Sequence, residues 1–135
     1  MEIGKGVIRK EGKDVTLVAV SLMVHEAMKA AEGLAAEGVE VEVIDLRTVK
    51  PLDRELILNS VRKTGRIVVA DVGWKSFGVS AEIAALVAEN AFDALKVPVL
   101  RVALPDCPAP ANRNLEEAYY QTSENIVQAV RKITR

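Results

Sequence analysis

VEVEVIDLRTVKPL, residues 39–52, decides how this chain folds. Val39, Val41 and Val43 alternate with Glu40 and Glu42 before the run closes on Ile44, Asp45 and Leu46, the pattern of a strand that becomes more deeply buried toward its carboxyl end. The Asp45 carboxylate then stands where that strand stops. Residues 47–52 make a turn stiffened by Pro51, and Asp53 is placed to cap a new helix. Helical patterns flank the strand on both sides, which predicts parallel pairing and a three-layer α/β arrangement.

Working outward toward the amino terminus, residues 14–20, DVTLVAV, are almost continuously apolar and β-branched, as a central parallel strand must be. Residues 4–13, GKGVIRKEGK, hold only the pair Val7 and Ile8 among charges and glycines, which suits a brief edge strand. Between these and residue 39, Val24, Ala27, Met28, Ala31, Leu34 and Ala35 recur at helical spacing, with Ser21 as N-cap and Gly38 as stop.

Toward the carboxyl terminus, Leu56, Ile57, Ser60 and Val61 share the face of a helix that Asp53 opens and Gly65 closes. Residues 66–71, RIVVAD, form a third buried strand, again ending in an aspartate. VGWKSFG, residues 72–78, reads as a loop, followed by an alanine-rich helix over 79–90. Residues 91–96 extend that helix or form a turn. Pro98 introduces a last strand over 99–103. Pro105, Pro108 and Pro110 exclude regular structure from a segment that is an ordered connector or a docking surface. Ser123 caps a final helix with Ile126, Val127, Val130 and Ile133 inward. Right-handed crossovers put the Val15 strand at the centre, flanked by the Val39 and Ile67 strands. A switch point follows between loops 20–23 and 71–78, where an α/β sheet accepts a ligand.

A chain of 135 residues predicts one domain, 1–135. Eighteen basic against nineteen acidic side chains, net −1, argue against nucleic acid or an anionic membrane as partner. Few aromatics argue against a base-stacking platform. No apolar run approaches the roughly 20 residues that cross a bilayer. The lone Cys107 leaves a reducing, cytoplasmic setting as the default, and no Cys/His set has metal-ligand spacing.

The turn after the central strand, Val20-Ser21-Leu22-Met23, lacks the glycines that bring backbone amides to a pyrophosphate, and no Gly-Lys-Ser/Thr phosphate loop exists. Asp45 and Asp71 suggest a phospho-acceptor, but the acidic pair and lysine that such a site needs are missing; each aspartate is better read as accepting from amides of its own turn. His25 is the single histidine, near the switch point with Ser21 and Glu26 close in sequence. Without a nucleophile elbow it is read as a packing or interface residue. Cys107 between prolines is read as a bystander thiol. Trp74 and Phe77, set among glycines, either cover the end of the sheet or anchor a partner.

Several runs together resemble the C-terminal domain of the transketolase-like superfamily. They are Ile3 to Gly6, Gly12 to Val18, Met23 to Ala27, Val43 to Asp53, Ser60 to Arg66, Phe77 to Ile83, and Pro98 to Val102 followed by Asp106-x-Pro108-x-Pro110. More narrowly, the chain resembles the β subunit of the first, decarboxylating component of 2-oxo acid dehydrogenase complexes, of pyruvate or branched-chain type. The run Asp45-Leu46-Arg47-Thr48 leading to Pro51-Leu52-Asp53 is the most specific of these features.

The resemblance implies a mixed five-stranded sheet, mostly parallel with one antiparallel edge strand, between helices on both faces. It implies a parent α₂β₂ assembly that uses thiamine diphosphate and magnesium, bound between an α-subunit domain and the β subunit's N-terminal domain rather than by this chain alone. The chain would begin past the catalytic half of a β subunit and serve subunit association, with no complete active site of its own. Expected partners are another copy, the α subunit, the N-terminal β domain and the acyltransferase's subunit-binding domain. The candidate interface residues are His25, Trp74, Phe77 and Asp106. A stand-alone small-molecule-binding domain using Ser21, His25 and Asp71, or the equivalent domain of another transketolase-family enzyme, are the alternatives.

Overall fold

In the computed structural model, which describes residues 2–135, five strands form one sheet in the order β1-β3-β2-β4-β5. The strands are β1 (Val7–Lys10), β2 (Val15–Ala19), β3 (Val41–Asp45), β4 (Ile67–Trp74) and β5 (Leu100–Leu104). β1 runs antiparallel to β3 and the other pairings are parallel. The Val15 strand lies at the centre, between the strands of residues 41–45 and 67–74, as right-handed crossovers require.

Alternation along β2 divides the core. Val15, Leu17 and Ala19 meet α1 (Met23–Ala36) and α5 (Ser123–Thr134) on one face. Val18 meets α2 (Arg54–Thr64) and α3 (Val79–Ala91) on the other. β2 is buried on both faces, and each Leu, Ile or Val enclosed there contributes about 1.5–3 kcal/mol of hydrophobic stabilisation. Thr16 is a polar exception that stays satisfied, since its Oγ1 lies 2.6 Å from Ser60 Oγ and 2.8 Å from Thr64 Oγ1 on α2.

The ends of the elements differ in places from the sequence reading. Ser21 is not the N-cap of α1: it takes a left-handed φ of 54°, incompatible with the extended cap conformation, and Leu22 precedes the helix without a side-chain cap. Tight turn bonds from Met23, Val24 and His25 amides to the Val20, Ser21 and Leu22 carbonyls serve the first turn instead. At α5 the cap is Thr122, in a reciprocal box with Asn125, while Ser123 is already helical. β4 runs into the segment read as a loop, because Trp74 pairs with Leu104 beyond an irregularity in register. A short helix, α4 (Arg113–Tyr119), follows the proline segment and was not anticipated. Asp53 does cap α2, accepting from the Leu56 amide, and Gly65 closes it at φ 71°. Residues 92–94 form the turn allowed for after α3. Among the described residues, no helix is long and apolar enough to cross a membrane.

Candidate functional site

The parallel strands deliver their following loops to one edge of the sheet, and antiparallel β1 brings the amino-terminal residues to the same edge. Gly4 donates to Thr48 Oγ1 at 3.1 Å and Gly6 to Asp53 Oδ2 at 3.1 Å, tying residues 4–6 to the turn after β3. Three non-glycine residues adopt left-handed φ there, one after each inner strand: Ser21 at 54°, Arg47 at 57° and Phe77 at 56°. Such strained turns cluster where loops are shaped for a task. Ile3, Leu22, Val49, Val72, Trp74 and Phe77, all large, apolar and exposed, arrive at this edge together.

Asp45 closes β3, whereas Asp71 lies inside β4, which runs on to Trp74 instead of ending at the aspartate as the sequence suggested; both carboxylates are engaged. Asp71, buried, accepts from the Gly73 amide at 3.0 Å and the Ser80 amide at 3.1 Å. Asp45 accepts from the Arg47 amide at 3.2 Å, and the Arg47 guanidinium lies 3.5 Å from its other oxygen. The Arg47 and Gly73 bonds are the local turn role read from sequence, and the Ser80 bond adds an anchor to the start of α3.

The extension of β4 builds a groove against the proline segment. Trp74, Ser76, Phe77, Asp106, Cys107 and Pro108 line an open cleft of about 440 Å³. Trp74 Nε1 donates to Tyr119 Oη at 3.2 Å, and that hydroxyl donates to the Cys107 carbonyl at 2.8 Å. Through Tyr119, α4 therefore fixes the connector to the end of β4. The Ser76 hydroxyl and amide both donate to the Asp106 carboxylate, at 2.6 and 3.1 Å. Those two bonds, the hydroxyl's first, hold the Asp106 carboxyl below its ordinary range. Phe77 is fully exposed. Gly78 is required where the loop enters α3, since a Cβ there would lie 2.2 Å from the Trp74 carbonyl oxygen.

Of the residues singled out in the sequence, Trp74, Phe77 and Asp106 come together in this groove. His25 does not line it; it is exposed on the first turn of α1. Its neighbour Glu26 turns away to the Ser123 amide and Lys29, each at 2.8 Å, so the carboxylate of the conceivable Ser-His-acid set is engaged elsewhere. Tyr119 is the residue that sequence reasoning missed. No local pattern announces it, because the Trp74–Tyr119 bond joins residues 45 positions apart. Cys107, read as a bystander, is exposed on the wall of the groove.

Comparison with known proteins identifies the family. Residues 4–126 match the family model described as transketolase, C-terminal domain. The chain is 47% identical over 133 residues to the pyruvate dehydrogenase E1 component subunit beta, mitochondrial, of Dictyostelium discoideum, covering 98% of this chain and 37% of that protein. It is 43% identical over 129 residues to the acetoin:2,6-dichlorophenolindophenol oxidoreductase subunit beta of Cupriavidus necator, covering 96% of this chain and 38% of that one. The chain thus spans well under half the length of these relatives. Among solved structures, it superposes with a TM-score of 0.88 and 36% identity on a split gene transketolase described as an inactive beta4 tetramer, over 100% of this chain and 45% of the other. With a family model matched over nearly its whole length and the same mixed sheet beneath it, this chain belongs to the transketolase C-terminal domain family.

Proposed function

We propose that this chain is the assembly and docking domain of a thiamine-diphosphate-dependent 2-oxo acid dehydrogenase β subunit, of pyruvate dehydrogenase type, and has no complete active site by itself. The observation that supports this reading is the gathering of exposed apolar side chains, from Ile3 to Phe77, at the carboxyl edge of the sheet. Large exposed apolar side chains concentrated at one edge suit an association face, and a tryptophan on a groove is the residue type that dominates association energies. Relatives that are themselves β subunits, and a structural neighbour that is a tetramer, agree with it.

On this reading residues 1–135 act as one domain in a cytoplasmic setting. Its partners are a second copy, the α subunit and the N-terminal β domain, with the acyltransferase's subunit-binding domain as a further one. Trp74, Phe77 and Asp106 would meet a partner directly through the groove, and His25, exposed on the first turn of α1, would do so separately. Thiamine diphosphate and magnesium belong to the parent assembly, and the donor set here does not suit them. A magnesium-bound diphosphate takes free carboxylate oxygens or convergent glycine amides. Asp45 is instead engaged by its own turn and Asp71 by its turn and the start of α3, and the turn after β2 has no glycine.

Sedimentation equilibrium at micromolar concentration tests the proposal. Species heavier than the 14.6 kDa monomer are expected, as is co-elution with the α subunit and N-terminal β domain of a pyruvate dehydrogenase. Trp74→Ser combined with Phe77→Ser should abolish both. A monomer at every concentration that also fails to co-elute would sink the assignment.

A further inference from the structure

We propose that the outer edge of β5 is a docking site for an acidic, extended peptide segment, which adds to the sheet as a sixth strand. β5 ends the sheet, with β4 on one side and no strand on the other among the described residues. The opposite edge strand, β1, is broken by a register shift between Ile8 and Lys10, a device that discourages pairing. β5 has no such break within its own five residues.

The Leu104 carbonyl accepts from the Lys75 amide at 2.8 Å, on the β4 side. Alternation in a parallel strand therefore turns the peptide groups of Leu100 and Val102 toward β4 as well. The N–H and C=O of Arg101 and Ala103 aim outward. Beside them, Gln121, Asn125, Gln128 and Lys132, on or just before α5, wall a groove of about 360 Å³ whose floor is the β5 edge. Peptide strand addition takes its affinity from main-chain bonds to a sheet edge and its specificity from the side chains beside that edge, here those of residues 121–132.

Charge selects the occupant. Lys75, Arg101 and Lys132 line the groove and no carboxylate does. Leu100 and Val102 pack into the α1/α5 side of the core, so the Arg101 side chain emerges on the opposite face. An added strand would meet Lys132 on one face and Arg101 on the other. The Arg101 guanidinium donates to the Lys75 carbonyl, a neutral group. The Asp106 carboxylate, bonded to Ser76, lies close enough to Arg101 and Lys75 to offset part of their charge, so Lys132 carries the most weight in selecting an acidic strand. A second copy of the chain would set the same three cations against each other, which disfavours self-pairing through this edge.

The test is a titration of the ¹⁵N-labelled chain with a heptapeptide of alternating glutamate and threonine. Its lysine–threonine counterpart and a version N-methylated at alternate peptide bonds serve as controls. Strand addition predicts shifted signals and slowed hydrogen exchange at the Arg101 and Ala103 amides with the acidic peptide alone. Lys132→Glu, on an exposed helix position, should weaken binding about fivefold without unfolding the chain. The proposal is overturned by no response at millimolar peptide, by equal binding of the lysine or N-methylated peptide, or by Arg101 and Ala103 protection that grows with protein concentration in the absence of peptide.

Discussion

The Glu26 carboxylate on α1 accepts a hydrogen bond from the Ser123 amide, 2.8 Å away and 97 positions later, so one helix supplies the N-terminal anion of another. Its carboxyl is held below the ordinary glutamate range, chiefly by the hydrogen bond from Lys29 and further by Ser123. A pKa lower in the folded than in the unfolded state stabilises the fold above the unfolded value, and that contribution is lost as pH falls through the folded one. Glu26→Gln should cost about 1 kcal/mol at neutral pH, the worth of an N-terminal anion and cap. The difference from the parent should narrow as pH is taken below about 4. Urea denaturation across that range checks it; a constant difference would refute the role.

Glu42 is fully buried and paired with Lys63, which is half exposed and also reaches Glu11. Burial pushes the Glu42 carboxyl up, but bonds from Lys63 and Ser60 outweigh it and leave the group below its ordinary range. Lys63→Met strands that carboxylate and should cost about 2–3 kcal/mol, with the lysine's exposure holding the figure below that of a fully enclosed pair. Glu42→Val combined with Lys63→Met should recover most of the loss. A double variant no more stable than Lys63→Met alone, by denaturant midpoint, would contradict this account.

Strand order was legible in the sequence because burial on both faces writes itself as an unbroken apolar run. Residues 14–20 could only be central, and Val7 with Ile8 could only be marginal. What stayed hidden depends on contacts between distant residues. Glu42 reads as the polar half of an alternating strand, yet it is enclosed because Lys63 on α2 lies over it. The continuation of β4 to Trp74 needs Leu104 as a pairing partner, and nothing local to VGWKSFG announces that. Ser21 and Ser123 are good cap residues by type, but a left-handed turn disqualified the first and Thr122 with Asn125 displaced the second. At the candidate site, Trp74 and Phe77 were conspicuous as rare aromatics, whereas Tyr119 matters through a hydroxyl reaching 12 positions back to Cys107.

Tyr119 holds that site with one oxygen, accepting from Trp74 and donating to the Cys107 carbonyl. Tyr119→Phe removes both bonds while keeping the ring, and should cost about 1–2 kcal/mol. Freed from Tyr119, the connector should label faster at the Cys107 thiol, and Trp74 emission should shift to longer wavelength. Unchanged labelling and emission alongside an unchanged melting temperature would show that the hydroxyl does not hold the groove together.

Two glycines give substitutions of opposite sign. At Gly78 a Cβ would stand 2.2 Å from the Trp74 carbonyl oxygen, a backbone atom that cannot swing aside. The Gly78 carbonyl also receives the Ala81 amide at the start of α3, so displacing it loosens the helix as well as the Trp74 loop. Gly78→Ala should therefore destabilise by about 2–3 kcal/mol and weaken any association through Trp74 and Phe77. Gly33, exposed within α1, has nothing within 4 Å of the added carbon. There Gly33→Ala should stabilise by about 0.5–1 kcal/mol, the propensity difference of an open helix position. Thermal melts of the two variants against the parent decide the matter, and a Gly78→Ala protein as stable as the parent would mean that the β4–α3 loop is not built as described.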